Sequence, residues 1–331
     1  MGIDPLLQAV ENKVQHLQVF LRRVRTGVLS ATKTPVKSRS AEDYLRSVAQ
    51  TFLALDKPDP RLDRDHNIHF NLRRMMSAYK KEDPPPDRVK PVPVSVIRRI
   101  FHISSTTQDP YLTGLADMIG LAFFFLLRPG EYTDSASDTS PFQFRDVQLF
   151  RGPTRLDLSS ASEAQILSAT FASLTFRDQK NGVRGEVIGL SHSGDPLLSP
   201  PRILARRILH LRSHNAPLTT PLARVFIATG HKSITPSAIT STLRNAVRYL
   251  GPSLGFLASD VSARCLRASG ANALLCAQVD TDVIRLLGRW RSDEMLRYLH
   301  LQAAPIMNKF SRRMLSGGTY TLVPNQWVPT I

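Results

Sequence analysis

Two arginines three residues apart, Arg264 and Arg267, stand just after Ser262 at the head of a stretch that reads as helical from Asp260 to His300. With Ser262 as N-cap, that spacing puts both guanidinium groups on one face of a first helical turn. A helix start already carries unpaired N–H groups and the positive end of the dipole. Two forked guanidinium groups added there favour a phosphate over most other ligands. Apolar residues then recur at helical spacing through Ala271, Leu274, Leu275 and Val279, and again through Val283, Ile284 and Leu287, which predicts two packed helices. Gly288 ends the second, and Ser292 with Asp293 and Glu294 caps a short third helix that carries Tyr298.

A third arginine of the same kind lies far upstream. Tyr111 to Leu127 is apolar almost all round, as a helix buried on every side would be, and it runs into Arg128, Pro129 and Gly130. An arginine held at such an interior edge is rarely left without an anion. Glu131 is an acid placed to orient an arginine, although a plain structural salt bridge is the other reading of the pair. Lys180 sits at the tip of a hairpin predicted from Thr170–Phe176 and Val183–Leu190 across DQKNG; a turn lysine is most often simply solvated. No trio of carboxylates and no His/Cys cluster has metal-ligand spacing, so neither a metal nor another cofactor is expected. Cys265 and Cys276 fall on one predicted helix and read as small core residues of a reducing compartment.

Taken together, R-x-x-R-A-x-G-A from Arg264, L-G-R-W from Leu287 and Y-L-H from Tyr298 resemble the C-terminal signature of the tyrosine recombinases, the phage integrases and their relatives. The G-R-W-x-S-D-x-x-x-R-Y form is similar to integrases of eukaryotic mobile elements such as the DIRS-like retroelements. Arg128 with Glu131 resembles that family's first-arginine box. The resemblance implies a metal-independent DNA strand transferase working through a 3′-phosphotyrosine. Tyr298 would be the nucleophile, Arg128 and Arg267 the phosphate clamps, Lys180 the proton donor to the leaving 5′-oxygen, and Arg289, with Trp290 beside it, would hold the usual second histidine position. Two departures fall inside this site. Arg264 stands where the family has histidine, and a guanidinium cannot act as a general base. Ser269 replaces a common glycine, putting a side chain on a tightly packed turn. Weakened cleavage follows from these. The alternative is a transposon-derived protein that binds DNA and no longer cuts it.

The elements that must position these residues read as mainly α with a small β-sheet (α+β). Residues 1–82 form a helical domain with apolar sets through Leu6–Leu21, Tyr44–Leu53 and Phe70–Tyr79; a Pro-rich linker spans 83–93, and 94–331 is the second, catalytic domain. By size and position the first domain resembles the family's core-binding domain. A strand is predicted over Phe142–Phe150, and basic amphipathic helices over Pro200–Arg212 and Pro236–Leu250. Lys and Arg outnumber Asp and Glu by 43 to 27, a formal +16, which points to a polyanion and more naturally to nucleic acid than to a membrane. Arg73, Arg74 and Lys80 on the first domain, and Arg244 and Arg248 on an exposed stripe of the second, are the backbone-contact candidates. His192, His210, His214 and His231 have no ligand-like spacing. The expected partner is double-stranded DNA, with the resemblance implying a homotetramer on two DNA sites. The N-terminus has no secretory pattern and the apolar run Gly120–Leu127 is too short to span a bilayer. An intracellular protein follows, nuclear in a eukaryote and otherwise cytoplasmic.

Overall fold

A computed structural model describes residues 12–84, 90–134, 140–177, 184–251 and 254–291. The chain divides into two units, Met1–Asp87 and Arg88–Ile331. In the first, helices α1 (Lys13–Arg25), α2 (Ser38–Ala54) and α3 (Phe70–Glu82) close on one core. Leu17, Leu21 and Val24 recur at helical spacing and meet Ala41, Leu45, Leu72 and Met76. Asp83, just past α3, accepts from the Ser38 N–H at 2.9 Å and pairs with Arg25 at 2.5 Å, so α3 is tied to both neighbouring helices.

The second unit is built around α5 (Pro110–Phe124), preceded by α4 (Val94–Thr106). Pro110 at its first turn and the Asp109 carboxylate, which accepts from the Tyr111 N–H at 2.7 Å, start the helix. Every residue from Gly114 to Phe123 is buried, as the all-round apolar sequence requires. The single turn α6 (Pro129–Tyr132) follows, then β1 (Val147–Arg151), β2 (Thr154–Arg155), α7 (Glu163–Leu167), β3 (Phe171–Phe176) and β4 (Glu186–Ser191). These strands form an antiparallel sheet in the order β2-β1-β3-β4, with Leu174 opposite Val147 on one side and Ile188 on the other. Then come α8 (Pro200–Ser213), the hairpin β5 (Arg224–Ile227) and β6 (Gly230–Ser233), α9 (Pro236–Leu250), α10 (Cys265–Cys276) and α11 (Thr281–Leu287). The molecule is mainly α with a small sheet.

Two expectations need correction, and one element was missed. The strand predicted over Phe142–Phe150 begins only at Val147, because Asp146 turns its carboxylate back onto the Gln143 N–H (2.7 Å) and closes a 3-10 turn over Phe144–Asp146. The β5–β6 hairpin was not anticipated. The helix over Pro200–Arg212 turns three of its four arginines inward, and only Arg202 is exposed. Arg206 pairs with the buried Asp117 of α5 at 2.5 Å, Arg207 is 1% exposed and donates to the Leu222 and Arg224 carbonyls, and Arg212 donates to the Ala161 carbonyl. Arg207 and Arg212 thus satisfy main-chain oxygens inside the fold, and Arg206 a buried carboxylate. Burial pushes the Arg207 pKa down to about 10, with Asp117 opposing the shift. Among the described residues no helix is long and apolar enough to cross a membrane.

Candidate active site

The site begins where α5 stops. Leu126, just past its end, takes a left-handed conformation (φ 51°), costly for a branched side chain. The helix-terminal carbonyls of Phe125 and Leu126 accept from arginines of the C-terminal segment. There α10 crosses α5 at Gly270, where an added Cβ would lie 2.1 Å from the Phe123 oxygen. Only glycine allows that approach.

One turn before Gly270, Arg267 is 3% exposed and donates from Nη1 to the Leu126 oxygen at 2.6 Å and from Nη2 to the Gly288 oxygen. The Trp290 ring lies against it, centroid 4.2 Å from Cζ. Gly288 makes room, since a Cβ there would fall 1.6 Å from the Trp290 ring. The left-handed residue at this helix end is Arg289 (φ 56°), whose side chain is 1% exposed. Its Nη1 donates to the Phe125 and Leu287 oxygens, both at 3.1 Å, and its Nη2 to the Leu126 oxygen and Glu131 Oε2, both at 3.2 Å. Phe176, the last residue of β3, places its ring 3.8 Å from the guanidinium carbon. The C-termini of α5 and α11 therefore meet here, and two guanidinium groups satisfy carbonyls that no helix bond reaches.

Glu131, 3% exposed, binds the cluster together. Besides Arg289 it accepts from the Arg128 N–H at 2.8 Å and from Arg128 Nη1 at 3.0 Å. Two guanidinium groups on one carboxylate, with Arg267 joined to Arg289 through the shared Leu126 oxygen, leave the cluster cationic. Burial lowers the Arg289 pKa to about 10, with the Glu131 charge opposing the shift and Arg128 adding to it, so it remains charged at neutral pH. Arg128, 29% exposed, is the member that reaches solvent.

Arg264 does not share the buried environment of Arg267. Helix α10 starts at Cys265 with Arg264 itself at the N-cap, and the Ser262 N–H points to Cys265 Sγ at 3.2 Å, so Ser262 does not cap. The segment before the helix is held from outside instead. The buried Tyr132 hydroxyl donates to the Ala263 oxygen at 2.9 Å, Thr240 Oγ1 accepts from the Ala263 N–H at 3.0 Å, and Arg244 donates to the Val261 and Ser259 oxygens at 3.0 and 3.2 Å. Arg264 is left exposed while Arg267 is buried. Ser269 is also not on a turn. It lies within α10, 2% exposed, its hydroxyl accepting from the Val92 N–H and donating to the Cys265 oxygen, each at 2.8 Å.

Arg73, Arg74 and Lys80 are exposed on α3, with Lys80 3.7 Å from Glu42. Arg248 is exposed on α9. Arg244 departs from the expected exposed stripe because its carbonyl bonds draw it half under the surface. Both line a shallow groove of about 400 Å³ along α9 with Ser237, Thr240 and Ser241. Lys180, Tyr298 and the predicted third helix lie outside the described residues. Sequence reasoning missed Phe176 and Tyr132. Their only sign was an apolar residue ending a strand and an aromatic beside the Arg128 box. Among the described residues no group of three or more His, Cys, Asp or Glu is placed to hold a metal ion.

No protein-family model matches the chain, and no curated protein matches it in sequence. Solved structures do. A XerH site-specific recombinase in a post-cleavage complex with palindromic difH substrate superposes over 94% of this chain and 73% of its own, at 12% identity and a TM-score of 0.50. This chain shares the fold of that recombinase. XerH in its pre-cleavage complex (12% identity, 96% and 71% covered, TM-score 0.48) and a Tn1549 transposon integrase with circular intermediate DNA (13%, 87% and 83%, 0.43) are further neighbours.

Proposed function

We propose that the chain is a DNA strand transferase of the tyrosine-recombinase kind, acting on double-stranded DNA without a metal. The observation that carries this is the cationic cluster in which Arg128 and Arg289 share Glu131 and Arg267 shares the Leu126 oxygen with Arg289, in a fold shared with a recombinase solved on its DNA substrate. Arg128 meets the scissile phosphate from the solvent side, and Arg267 and Arg289 form a fixed positive floor beneath it, so charge that builds on the non-bridging oxygens is stabilised without reorganisation. The Tyr298 oxygen attacks phosphorus and the bond to the 5′-oxygen breaks. That oxygen leaves with the electron pair and takes a proton from the Lys180 ammonium, giving a 3′-phosphotyrosine. The phenol proton passes to solvent, since Arg264 cannot accept it. The first unit, with Arg73, Arg74 and Lys80, grips backbone phosphates, and Arg248 does so along α9. The working assembly is four protomers on two duplexes, the native element is a mobile one resembling the DIRS-like kind, and the compartment is the nucleus in a eukaryote and otherwise the cytoplasm.

A second reading has its own support. The two η-nitrogens of Arg267 are engaged with main-chain oxygens, and Arg264 has replaced the base, which is what a chain retained for DNA binding alone would tolerate. Trapping on a nicked suicide duplex separates the two. An adduct formed by the natural chain and strengthened by Arg264→His supports the transferase; binding without an adduct in either protein supports the DNA-binding relic.

A further inference from the structure

The 3-10 turn that leads into β1 and the end of β3 share a cleft of about 160 Å³, walled by Glu131, Gln143, Arg145, Asp146, Phe176 and Arg177. Two of these residues belong to the arginine cluster as well, because Glu131 and the Phe176 ring both touch the Arg289 guanidinium. Every carboxylate oxygen in the wall is already engaged. Glu131 Oε1 accepts from Arg128 Nη1, and its Oε2 accepts from the Arg128 N–H and from Arg289 Nη2. Asp146 is 3% exposed; its Oδ2 accepts from the Gln143 N–H at 2.7 Å and from Arg177 Nη2 at 2.9 Å, and its Oδ1 lies against Arg177 Nε.

Donors are what remain. Arg145 is exposed, and its Nε donates to Gln143 Oε1 at 3.0 Å, which holds the guanidinium at the cleft while Nη1 and Nη2 have no partner among the described residues. That bond takes the amide oxygen and leaves Gln143 Nε2 as an open donor. Arg177 Nη1 has no partner among the described residues either, and the two-point pairing with Asp146 fixes the plane in which it lies. In charge, Arg177 and Asp146 cancel, and Glu131 is outweighed by Arg128 and Arg289. Arg145 adds a charge that pairs with no carboxylate among the described residues. A wall whose acceptors are occupied and whose open groups are N–H donors selects an anion.

We propose that Arg145, Gln143 and Arg177 form a second phosphate subsite, which takes a phosphodiester of the bound DNA strand flanking the scissile one. This rests on the transferase reading above. A strand gripped at two phosphates is held against rotation about the reacting one, so the subsite orients the scissile phosphate without touching it.

The experiment measures equilibrium binding of nicked duplexes in which each phosphate flanking the scissile position is replaced in turn by an uncharged methylphosphonate, for wild type, Arg145→Ala and Arg145→Lys. Arg145 is exposed, so these variants keep the fold. At one flanking position the neutral linkage is expected to weaken wild-type binding about tenfold and Arg145→Ala binding by less than about twofold, while every other position affects the two proteins alike. Arg145→Lys keeps the charge but not the fork and should fall between them. Losses that simply add at every position, the mark of a charge acting at long range, overturn the proposal. Because binding is read, a chain that binds DNA but forms no covalent adduct fails the transferase reading and still tests the subsite. If no duplex binds, that reading fails too, and inorganic phosphate titrated against the arginine Nε–H resonances decides. A saturable shift of the Arg177 signal that Arg145→Ala abolishes supports the subsite, and no shift overturns it.

Discussion

Removing the Glu131 carboxylate is expected to be the most damaging polar substitution in the second unit. Glu131→Ala deletes the acceptor for the Arg128 N–H, for Arg128 Nη1 and for Arg289 Nη2. The two guanidinium groups do not count equally. The side chain of Arg128 is 29% exposed and can rehydrate, so its pairing contributes about 0–1 kcal/mol. That of Arg289 is 1% exposed and loses its hydrogen-bonded carboxylate inside the fold, which costs about 3–5 kcal/mol. For a unit of this size each kcal/mol moves Tm by about 2–4 °C, so the variant should melt about 6–20 °C below wild type. Glu131→Gln keeps an amide oxygen as acceptor but not the charge and should fall between the two. Thermal and urea unfolding of the three proteins decide it. A Glu131→Ala protein melting within a degree of wild type, or one no less stable than Glu131→Gln, would refute the view that this carboxylate holds the cluster together.

Other predictions draw on separate parts of the molecule. Gly270→Ala places a Cβ 2.1 Å from the Phe123 oxygen and should cost about 1–3 kcal/mol by pushing α10 off α5, read as a lower urea midpoint; an unchanged midpoint would mean that the crossing is looser than described. The His210 ring accepts from the Phe226 N–H at 2.9 Å, and burial, with Arg207 and His214 adding to it, lowers its pKa from 6.5 to about 4. The unfolded chain therefore binds the proton more tightly, and stability should fall as pH drops from about 6.5 to 4 while staying level above. His210→Gln should flatten that limb, and an identical acid limb in the variant would contradict the assignment. Arg73→Ala and Arg74→Ala should each reduce the slope of log K against log salt by about 0.9 and weaken binding alike on all sequences; an unchanged slope would remove α3 from the DNA interface.

The sequence was most legible where one periodicity or one chemical constraint dominates. The apolar run before Arg128 could only be a buried helix, and α5 is one. Leu17, Leu21 and Val24 repeat as an amphipathic stripe and pack as one. Arg128 and Glu131 were paired through their resemblance to an R-x-x-E box, with a plain salt bridge as the other reading, and they are in contact. Where tertiary bonds override local preference the reading failed. Ser262 is a good N-cap by type, but Tyr132, Thr240 and Arg244 hold the preceding main chain and start the helix at Cys265 instead. The arginines of α8 look like a basic face because composition does not reveal that Asp117 and the β5 carbonyls wait inside. Nothing in the sequence marks Leu126 and Arg289 as left-handed, since neither is a residue type that favours that conformation, yet those two turns bring helix ends and guanidinium groups together.

The most direct test of the account is to identify the covalent link itself. Protein incubated with a nicked suicide duplex carrying the element's own ends would be digested, and the peptide bearing a nucleotide sequenced by mass spectrometry. The account predicts a 3′-phosphate on Tyr298, with no adduct in Tyr298→Phe although DNA binding persists. A nucleotide attached to any other residue, or a Tyr298→Phe protein that still forms the adduct, would contradict it.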